Sequence, residues 1–337
     1  MASRSHVTIR DVAALAGVSH QTVSRVINGS ERVLPETKAR VEAAISQLDY
    51  RPNAIAQSMA KGRSGILACI APNLTDYTFA SLINGAEIEA RQHGYFLLSA
   101  SAPDEETFVA LMDELITSRR TEALMVINPF ADGRYTHLPP DFPIVFGGAR
   151  PREDATNSVA LNDEAVGMAA TEHLLALGHR EIGLITGPLA EDCSQDRSLG
   201  YETALRAAGI TPQPGWVVEG DWSARSGYNA LMIFAQSGRI PGAIFAQNDL
   251  MAAGVLRAAH DLGLSVPQQL AVIGVDDIPM AAYLEPPLTT IRQDFLQIGR
   301  EAAKLLIRSL EEPNAPRQHL RLPAELIVRQ STGAANG

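Results

Sequence analysis

The sequence predicts two fold classes in one chain: an all-α headpiece, and a larger α/β domain whose parallel strands form two lobes. The headpiece is predicted because apolar residues recur at helical spacing within residues 1–51. The α/β domain is predicted because short apolar runs alternate with amphipathic stretches from residue 64 onward. This alternation is typical of parallel sheets with helical crossovers. A chain of 337 residues is also too long for one comfortable core.

The first helix of the headpiece has signals at both ends. Thr8 and Asp11 have the spacing of a capping box, in which side chains satisfy free backbone N–H groups at the helix start. Apolar residues follow at helical spacing, and Gly17 then supplies a stop. We therefore expect a short helix between Thr8 and Gly17.

The second helix is expected to start after an N-cap at Ser19 and to end near Asn28. Its apolar face consists of Val23, Val26 and Ile27. Gln21 and Arg25 lie one turn apart on a polar face. This layout fits a helix-turn-helix, whose second helix enters the major groove, where Gln pairs with adenine and Arg with guanine. An ordinary helical hairpin with a solvated polar face is the alternative.

A third amphipathic helix follows within residues 33–53, with Val41, Ala44, Ile45 and Leu48 facing inward. Together with the stretches Thr8-Ile-Arg-Asp-Val-Ala, Gly17-Val-Ser, Thr22-Val-Ser-Arg-Val-Ile-Asn and Tyr50-Arg-Pro-Asn-Ala-Ile-Ala, this run resembles the lactose/galactose repressor family of bacterial transcription regulators. Leu34 departs from the family, which often has an N-cap serine there.

The resemblance implies a DNA-binding site, with His20, Gln21 and Arg25 reading bases. The full set of implied DNA-binding residues is Thr8, Ser19, His20, Gln21, Thr22, Ser24, Arg25, Asn28, Tyr50, Asn53, Ala56 and Met59. Residues 52–63 are expected to form a hinge helix that orders on the operator, with Met59 as the wedge in the minor groove. A plain flexible linker is the alternative for this segment.

Composition separates a basic head from an acidic body. Residues 1–63 hold nine basic and five acidic residues, a formal charge of +4, and the other 274 residues carry −14. This division fits a DNA-reading module attached to a domain that does not touch phosphate. No signal-peptide core or membrane-length apolar run is present in the sequence, so we expect a cytoplasmic protein without membrane contact. The two cysteines are too few for a disulfide scaffold or a zinc site.

Candidate strands are 66–71, 95–100, 123–127, 144–147, 158–161, 181–186, 217–220, 243–246, 271–275 and 288–291. Many of them are separated by helical stretches such as 79–93, 108–118, 165–177, 198–208, 250–262 and 296–310. This long C-terminal part resembles the periplasmic-binding-protein type I fold, in which the chain crosses between two lobes three times. We place the crossings near 161–163, 290–294 and Pro323. The predicted domains are a headpiece (1–51), a hinge (52–63), an effector-binding and dimerisation domain (64–332) and a disordered tail (333–337). Within the effector domain, the N-lobe covers about 64–161 plus 293–322, and the C-lobe about 162–290 plus 323–332.

Ligands of open α/β sheets bind beyond the carboxyl ends of the strands. Polar and aromatic residues follow the predicted strands there, and stacking faces with directional hydrogen-bonding groups suit sugars or purines. The predicted effector-binding residues are Tyr77, Phe79, Asn128, Arg197, Trp222, Asn248, Asp276 and Gln293. The resemblance puts Arg197 and Asp276 at the positions that usually hold the effector. Gly147-Gly-Ala149 replaces a stretch that carries an acidic ligand residue in the lactose-specific branch, which argues against a β-galactoside.

These observations predict a homodimeric regulator, most simply a repressor, that binds a pseudo-palindromic DNA operator under the control of a small molecule. A sugar is favoured as the effector, and a purine or nucleoside is the alternative. A cytosolic sugar-binding protein is a competing class, against which the basic head counts. An enzyme is disfavoured because the sequence has no nucleotide-binding, hydrolase or metalloprotease motif, and we predict no catalytic residue, metal or cofactor.

Overall fold

The chain divides into two compact units, Met1–Gly65 and Ile66–Gly337. The computed structural model describes residues 7–30, 32–51, 63–127, 133–148, 150 and 157–333. Predictions for residues 52–62 of the hinge, including Asn53, Ala56 and Met59, lie outside these ranges. The same holds for Asn128 and for residues 334–337 of the tail.

Within the described part of the first unit there are three helices, as predicted: α1 (Ile9–Ala16), α2 (His20–Ile27) and α3 (Pro35–Gln47). The capping box at the start of α1 is confirmed. The backbone N–H of Thr8 donates to Asp11 Oδ2 at 2.7 Å, and that of Asp11 donates to Thr8 Oγ1 at 3.4 Å. Gly17 ends α1 in the left-handed conformation with φ 64°, which a residue without a Cβ adopts at little cost.

Ser19 is the N-cap of α2, and its Oγ accepts the backbone N–H of Thr22 at 3.1 Å. Leu34 occupies the N-cap position of α3, where its side chain makes no capping hydrogen bond, as the sequence predicts. The three helices enclose a small core of Val12, Ala13, Ala16, Val23, Val26, Val41 and Ala44. Each helix is too short to persist alone, so this shared core holds the unit together.

The second unit contains twelve strands and seven helices within the described residues. The strands are β1 (Ile66–Ala71), β2 (Phe96–Ser101), β3 (Ala123–Val126), β4 (Ile144–Gly147), β5 (Asn157–Leu161), β6 (Ile182–Thr186), β7 (Val217–Glu219), β8 (Ala243–Ala246), β9 (Ala271–Asp276), β10 (Thr289–Gln293), β11 (His319–Leu322) and β12 (Ala324–Ile327). The helices are α4 (Tyr77–Gln92), α5 (Glu105–Thr117), α6 (Asp163–Ala176), α7 (Asp192–Ala207), α8 (Ala224–Gln236), α9 (Asp249–Asp261) and α10 (Phe295–Glu311). None of the described helices combines the length and hydrophobicity that a bilayer crossing requires.

The strands form two six-stranded sheets, one for each lobe. The orders are β11-β5-β4-β3-β1-β2 and β12-β10-β9-β8-β6-β7. Neighbouring strands are parallel except for β12, which runs antiparallel to β10. The prediction of an all-α headpiece and a two-lobed domain with parallel sheets is confirmed.

The chain passes between the lobes at three places. It leaves the first sheet after β5 ends at Leu161, and α6 of the second lobe starts at Asp163. Strand β10 of the second sheet extends through Gln293, so the chain returns to the first lobe at Asp294. The predicted lobe boundary, which assigns Gln293 to the N-lobe, is therefore wrong by one residue. The chain crosses again at Pro323, between β11 of the first sheet and β12 of the second.

Four elements differ from the sequence-based expectation. The sequence does not predict strands β11 and β12, because they are edge strands whose largely exposed residues leave no buried apolar run. Helix α8 lies outside the predicted helical stretches. Helix α7 starts at Asp192, six residues before its predicted start at 198, because its first turns are polar and turn buried polar side chains inward.

Close helix packing holds the first lobe together at two glycines. A Cβ on Gly299 of α10 would lie 1.9 Å from the carbonyl oxygen of Leu82 in α4, and one on Gly85 of α4 would lie 2.0 Å from that of Leu296. The backbones of α4 and α10 therefore come into direct contact at Gly85 and Gly299, which have no side chain to separate them. Because α10 follows the second crossing, this contact ties the returning chain to the first lobe.

We predict that Gly299→Ala lowers the free energy of unfolding by about 1–3 kcal/mol, since the added methyl group forces two backbones apart. Urea denaturation of the full chain measures the change as a lower midpoint. Gly215→Ala is the matched control, because a Cβ there meets nothing within 4 Å. Equal midpoints for the two variants would contradict the close-packing account.

Candidate functional site

A cavity of about 250 Å³ lies between the lobes, at the carboxyl ends of the strands of both sheets. Loops after β1, β3 and β4 line it from the first lobe, and residues after β6 to β10 line it from the second. Seven of the eight predicted effector residues come together here: Tyr77, Phe79, Arg197, Trp222, Asn248, Asp276 and Gln293. The eighth, Asn128, falls outside the described residues.

Arg197 is the centre of a buried hydrogen-bond network. It lies within α7, not in the loop after β6 where the sequence places it. Its Nε donates to Asp163 Oδ1 at 2.8 Å, its Nη1 to the carbonyl oxygen of Gln247 at 2.6 Å, and its Nη2 to Gln293 Oε1 at 3.3 Å. The guanidinium carbon also lies 5.9 Å from the centre of the Trp222 ring. One side chain therefore connects three strand ends and an aromatic wall.

Asp276 offers the cavity a carboxylate in an unusual setting. Its φ of 111° lies in the left-handed region that residues with a side chain rarely adopt. Burial raises the pKa of Asp276 well above its usual value, and the charge of Arg197 opposes that rise. Gln293 adds a donor, because its buried Nε2 has no hydrogen-bond partner within the protein. An acceptor and a donor are thus available to a ligand beside a fixed cation.

Trp222 is fixed from several directions. Its φ is 67°, its carbonyl oxygen accepts the Asn248 Nδ2 at 3.0 Å, and its indole Nε1 donates to Glu191 Oε1 at 3.0 Å. Its ring covers Gly187, where a Cβ would lie 2.1 Å from Trp222 Cζ2. Asn248 uses its other end, Oδ1, to cap α9 at the N–H of Met251. Asn248 therefore positions the aromatic wall as well as lining the cavity.

Aromatic side chains also come from the first lobe. Tyr77 and Phe79 lie in the first turn of α4, and Phe295 lies at the start of α10. Tyr77 is 43% exposed, whereas Phe79 packs against the core of its lobe. Aromatic faces on two sides suit a flat or ring-shaped ligand of modest size.

The lining residues that escape the sequence analysis include Asp76, Asp163, Glu191, Cys193 and Phe295. Asp76, Asp163 and Glu191 follow β1, β5 and β6, so the rule that selects the other residues could also find them. Burial raises the pKa of Glu191, against the opposing effect of the Trp222 hydrogen bond. Burial likewise raises the pKa of Cys193, which keeps this thiol protonated and unreactive.

An ion pair joins the lobes at the rim of the cavity. Arg150, which follows β4 of the first lobe, donates from Nε to Asp196 Oδ2 at 2.8 Å and from Nη2 to the other carboxylate oxygen. Its Nη1 also lies 3.5 Å from Asp192 Oδ1. Both carboxylates belong to α7 of the second lobe, so this fork-shaped contact favours the closed arrangement of the lobes.

The first unit presents the predicted DNA-binding residues on and around α2. His20, Gln21 and Arg25 are exposed, while Val23 and Val26 of the same helix are buried. Thr8 and Ser19 cap helices, the Asn28 amide donates to the Ser24 carbonyl oxygen at 2.9 Å, and Tyr50 packs against the small core. One polar helix face is thus free to approach a partner. Among the described residues, no group of His, Cys, Asp and Glu has a metal-binding arrangement.

Comparisons with known proteins match both parts of the chain. Residues 8–53 match the model of the bacterial regulatory proteins of the lacI family, and residues 171–332 match the periplasmic binding protein-like domain. The repressor PurR of Edwardsiella ictaluri is 34% identical over 331 residues, which are 96% of each chain. The ribose operon repressor of Escherichia coli K12 is 33% identical over 96% of this chain and 99% of its own.

A solved structure of the Lac repressor dimer, bound to operator and the anti-inducer ONPF, has a TM-score of 0.90 at 32% sequence identity. The match covers 98% of this chain and all of the other. Relatives of this identity align with the headpiece and both lobes together. The chain therefore belongs to the lacI family of bacterial regulatory proteins, as a transcription regulator that combines a helix-turn-helix DNA-binding domain with an effector-binding domain.

Proposed function

We propose that this protein is a homodimeric repressor whose affinity for a pseudo-palindromic operator is set by a sugar bound between the lobes. The observation that carries the proposal is the cavity in which Arg197, Asp276 and Gln293 face aromatic side chains from both lobes. Directional hydrogen-bonding groups beside stacking faces suit a ring that bears hydroxyl groups. The relative named as a ribose operon repressor is consistent with this class of ligand.

A purine or nucleoside is the second candidate effector. Trp222 and Phe79 could also stack on a purine ring, and PurR is among the relatives. The sugar is favoured because the Trp222 segment, Gly220-Asp-Trp-Ser-Ala-Arg-Ser-Gly-Tyr, resembles the sugar-responsive branch of the family. A binding protein without a DNA-related role is disfavoured by the exposed polar face of α2.

Dimerisation is proposed because one short recognition helix buries too little surface for specific operator affinity. Edge strand β2 exposes Phe96 to 77% and Leu98 to 42%, and an exposed apolar edge strand invites pairing with another molecule. A second copy of this chain is the partner that we propose, as in the dimeric Lac repressor structure. Residues 52–63 remain our proposed link between operator and cleft.

Replacing Gln21 tests the base-reading role and the dimer together. We predict that Gln21→Ala reduces discrimination at one base pair by roughly 1–3 kcal/mol, because the variant can no longer form a bidentate pair with the base. In a symmetric dimer the effect appears at equivalent positions of both half-sites. Operator variants in a fluorescence anisotropy assay measure it, and Gln47→Ala at the exposed end of α3 is the control. If Gln21→Ala weakens binding equally on all operator variants, Gln21 contacts phosphate and not a base. If discrimination is lost in only one half-site, the proposed symmetric dimer is contradicted.

Asp276→Asn tests the effector site. It preserves shape and replaces one carboxyl oxygen with an amide nitrogen that cannot accept a hydrogen bond, so we predict about a 10- to 150-fold loss of sugar affinity, with operator binding in the absence of sugar unchanged. Calorimetry of sugars selected by thermal shift provides the measurement, because ligand at about 100 times its Kd stabilises the folded protein by about 2.7 kcal/mol. Asp261→Asn, on the exposed side of α9, is the control. Unchanged sugar affinity in Asp276→Asn would contradict the site.

The ion pair of Arg150 tests the role of lobe closure. We predict that Arg150→Gln weakens sugar binding by a factor of about 1.4 to 5, because a partly exposed pair contributes only about 0.2–1 kcal/mol. The difference between variant and wild type should shrink at high salt, where the pair is screened. Arg239→Gln removes an ion pair with Glu181 within one lobe and should leave affinity unchanged. If both variants bind equally well, the contact plays no part in closure.

A further inference from the structure

Five of the helices that face the cleft begin with acidic residues. In a parallel α/β sheet, each helix that follows a strand has its N-terminus at the ligand edge, where unpaired N–H groups usually attract anions. Here an acidic residue stands at the N-cap or first position of α4, α6, α7, α9 and α10, namely Asp76, Asp163, Glu191, Asp249 and Asp294. The positive helix ends are therefore already compensated by the protein.

Hydrogen bonds show that several of these carboxylates occupy the donors that an anionic ligand would need. Asp76 Oδ1 accepts the N–H of Thr78 at 2.8 Å, and Asp294 Oδ1 accepts that of Gln297 at 2.9 Å. Asp249 accepts the backbone N–H of Ile278 at 2.9 Å, and burial raises its pKa to about 7. A ligand phosphate would find these positions filled.

The charges around the cavity point the same way. Among the described lining residues, Asp76, Asp163, Glu191 and Asp276 are acidic, and Arg197 is the one cationic side chain. Arg197 is committed to Asp163 at 2.8 Å. The burial that raises the pKa of Glu191 and Asp276 disfavours a negative charge in this cavity, and it therefore also opposes an anionic ligand. The buried Nε2 of Gln293 instead offers a donor to an uncharged hydroxyl group.

We infer that the effector enters this cleft without a phosphate group: the site selects an uncharged polyhydroxy compound and rejects sugar phosphates and nucleotides. The inference rests on the proposed function, and it assigns Glu191 as the specificity-determining residue. Glu191 is buried, stands at the N-cap of α7 without accepting a capping hydrogen bond, and holds the Trp222 indole through Oε1. A ring stacked on Trp222 therefore lies beside this carboxyl group, and an anionic substituent there would be opposed.

Calorimetry on the full-length protein with matched pairs tests the inference. The probes are ribose and ribose 5-phosphate, glucose and glucose 6-phosphate, and inosine and inosine 5′-monophosphate. In at least one pair we expect the unphosphorylated compound to bind, and we expect the phosphorylated compound of that pair to bind at least about tenfold more weakly. Glu191→Gln should narrow that ratio by about tenfold, because it removes one charge near the ligand. Glu202→Gln, an exposed change of the same charge on the same helix, should leave the ratio unchanged.

A phosphorylated compound that binds as tightly as its partner, or a ratio that Glu191→Gln does not change, would overturn the inference. Binding by inosine alone would contradict the sugar assignment, and the exclusion of inosine 5′-monophosphate would still support the inference. If no compound in the panel binds, the sugar assignment is contradicted, and titration with inorganic phosphate then tests whether the cleft excludes phosphate. Quenching of Trp222 fluorescence by phosphate in a Trp216→Phe background would then overturn the inference, and quenching only after Glu191→Gln would support it.

Discussion

The buried guanidinium of Arg197 is the group on which the two-lobed arrangement depends. It donates to Asp163, the first residue of the helix after one crossing, and to Gln293, the last residue of the strand before the next. Burial alone would lower the pKa of Arg197, but the neighbouring groups together, with the charge of Asp163 the largest contribution, outweigh it and keep the pKa above its usual value. Removing one partner of such a buried pair costs about 3–5 kcal/mol, so both crossings are held in one geometry.

This network explains why the cleft can respond to a ligand. Asp276 and the Nε2 of Gln293 lie beside the fixed cation and retain hydrogen-bonding capacity, while Trp222 is held by Asn248 and Glu191. A ligand that meets these preorganised groups loses little free energy in ordering them. It also contacts both lobes at once, and it therefore favours closure together with the weaker ion pair of Arg150 at the rim.

The parts that the sequence predicts are those with strong local signals. Central strands such as β1 and β9 are buried on both faces, so their apolar runs are unbroken, whereas edge strands β11 and β12 lack such runs. The sequence marks Arg197 as a site residue but places it in a loop, because the polar first turns of α7 hide its helical start. The position of Glu191 after β6 satisfies the rule that selects the other site residues, but its contact with Trp222 is visible only in the structure.

The headpiece and the effector domain are distinct units with opposite charge, so regulation requires that their ligands influence each other. Thermodynamic linkage requires this influence to be equal in both directions. The most direct measurement is calorimetric titration of the effector into the free protein and into its operator complex, beside operator affinity with and without effector. The account predicts that the operator changes the effector affinity by the same factor by which the effector changes the operator affinity. An effector affinity that is the same with and without operator would contradict it.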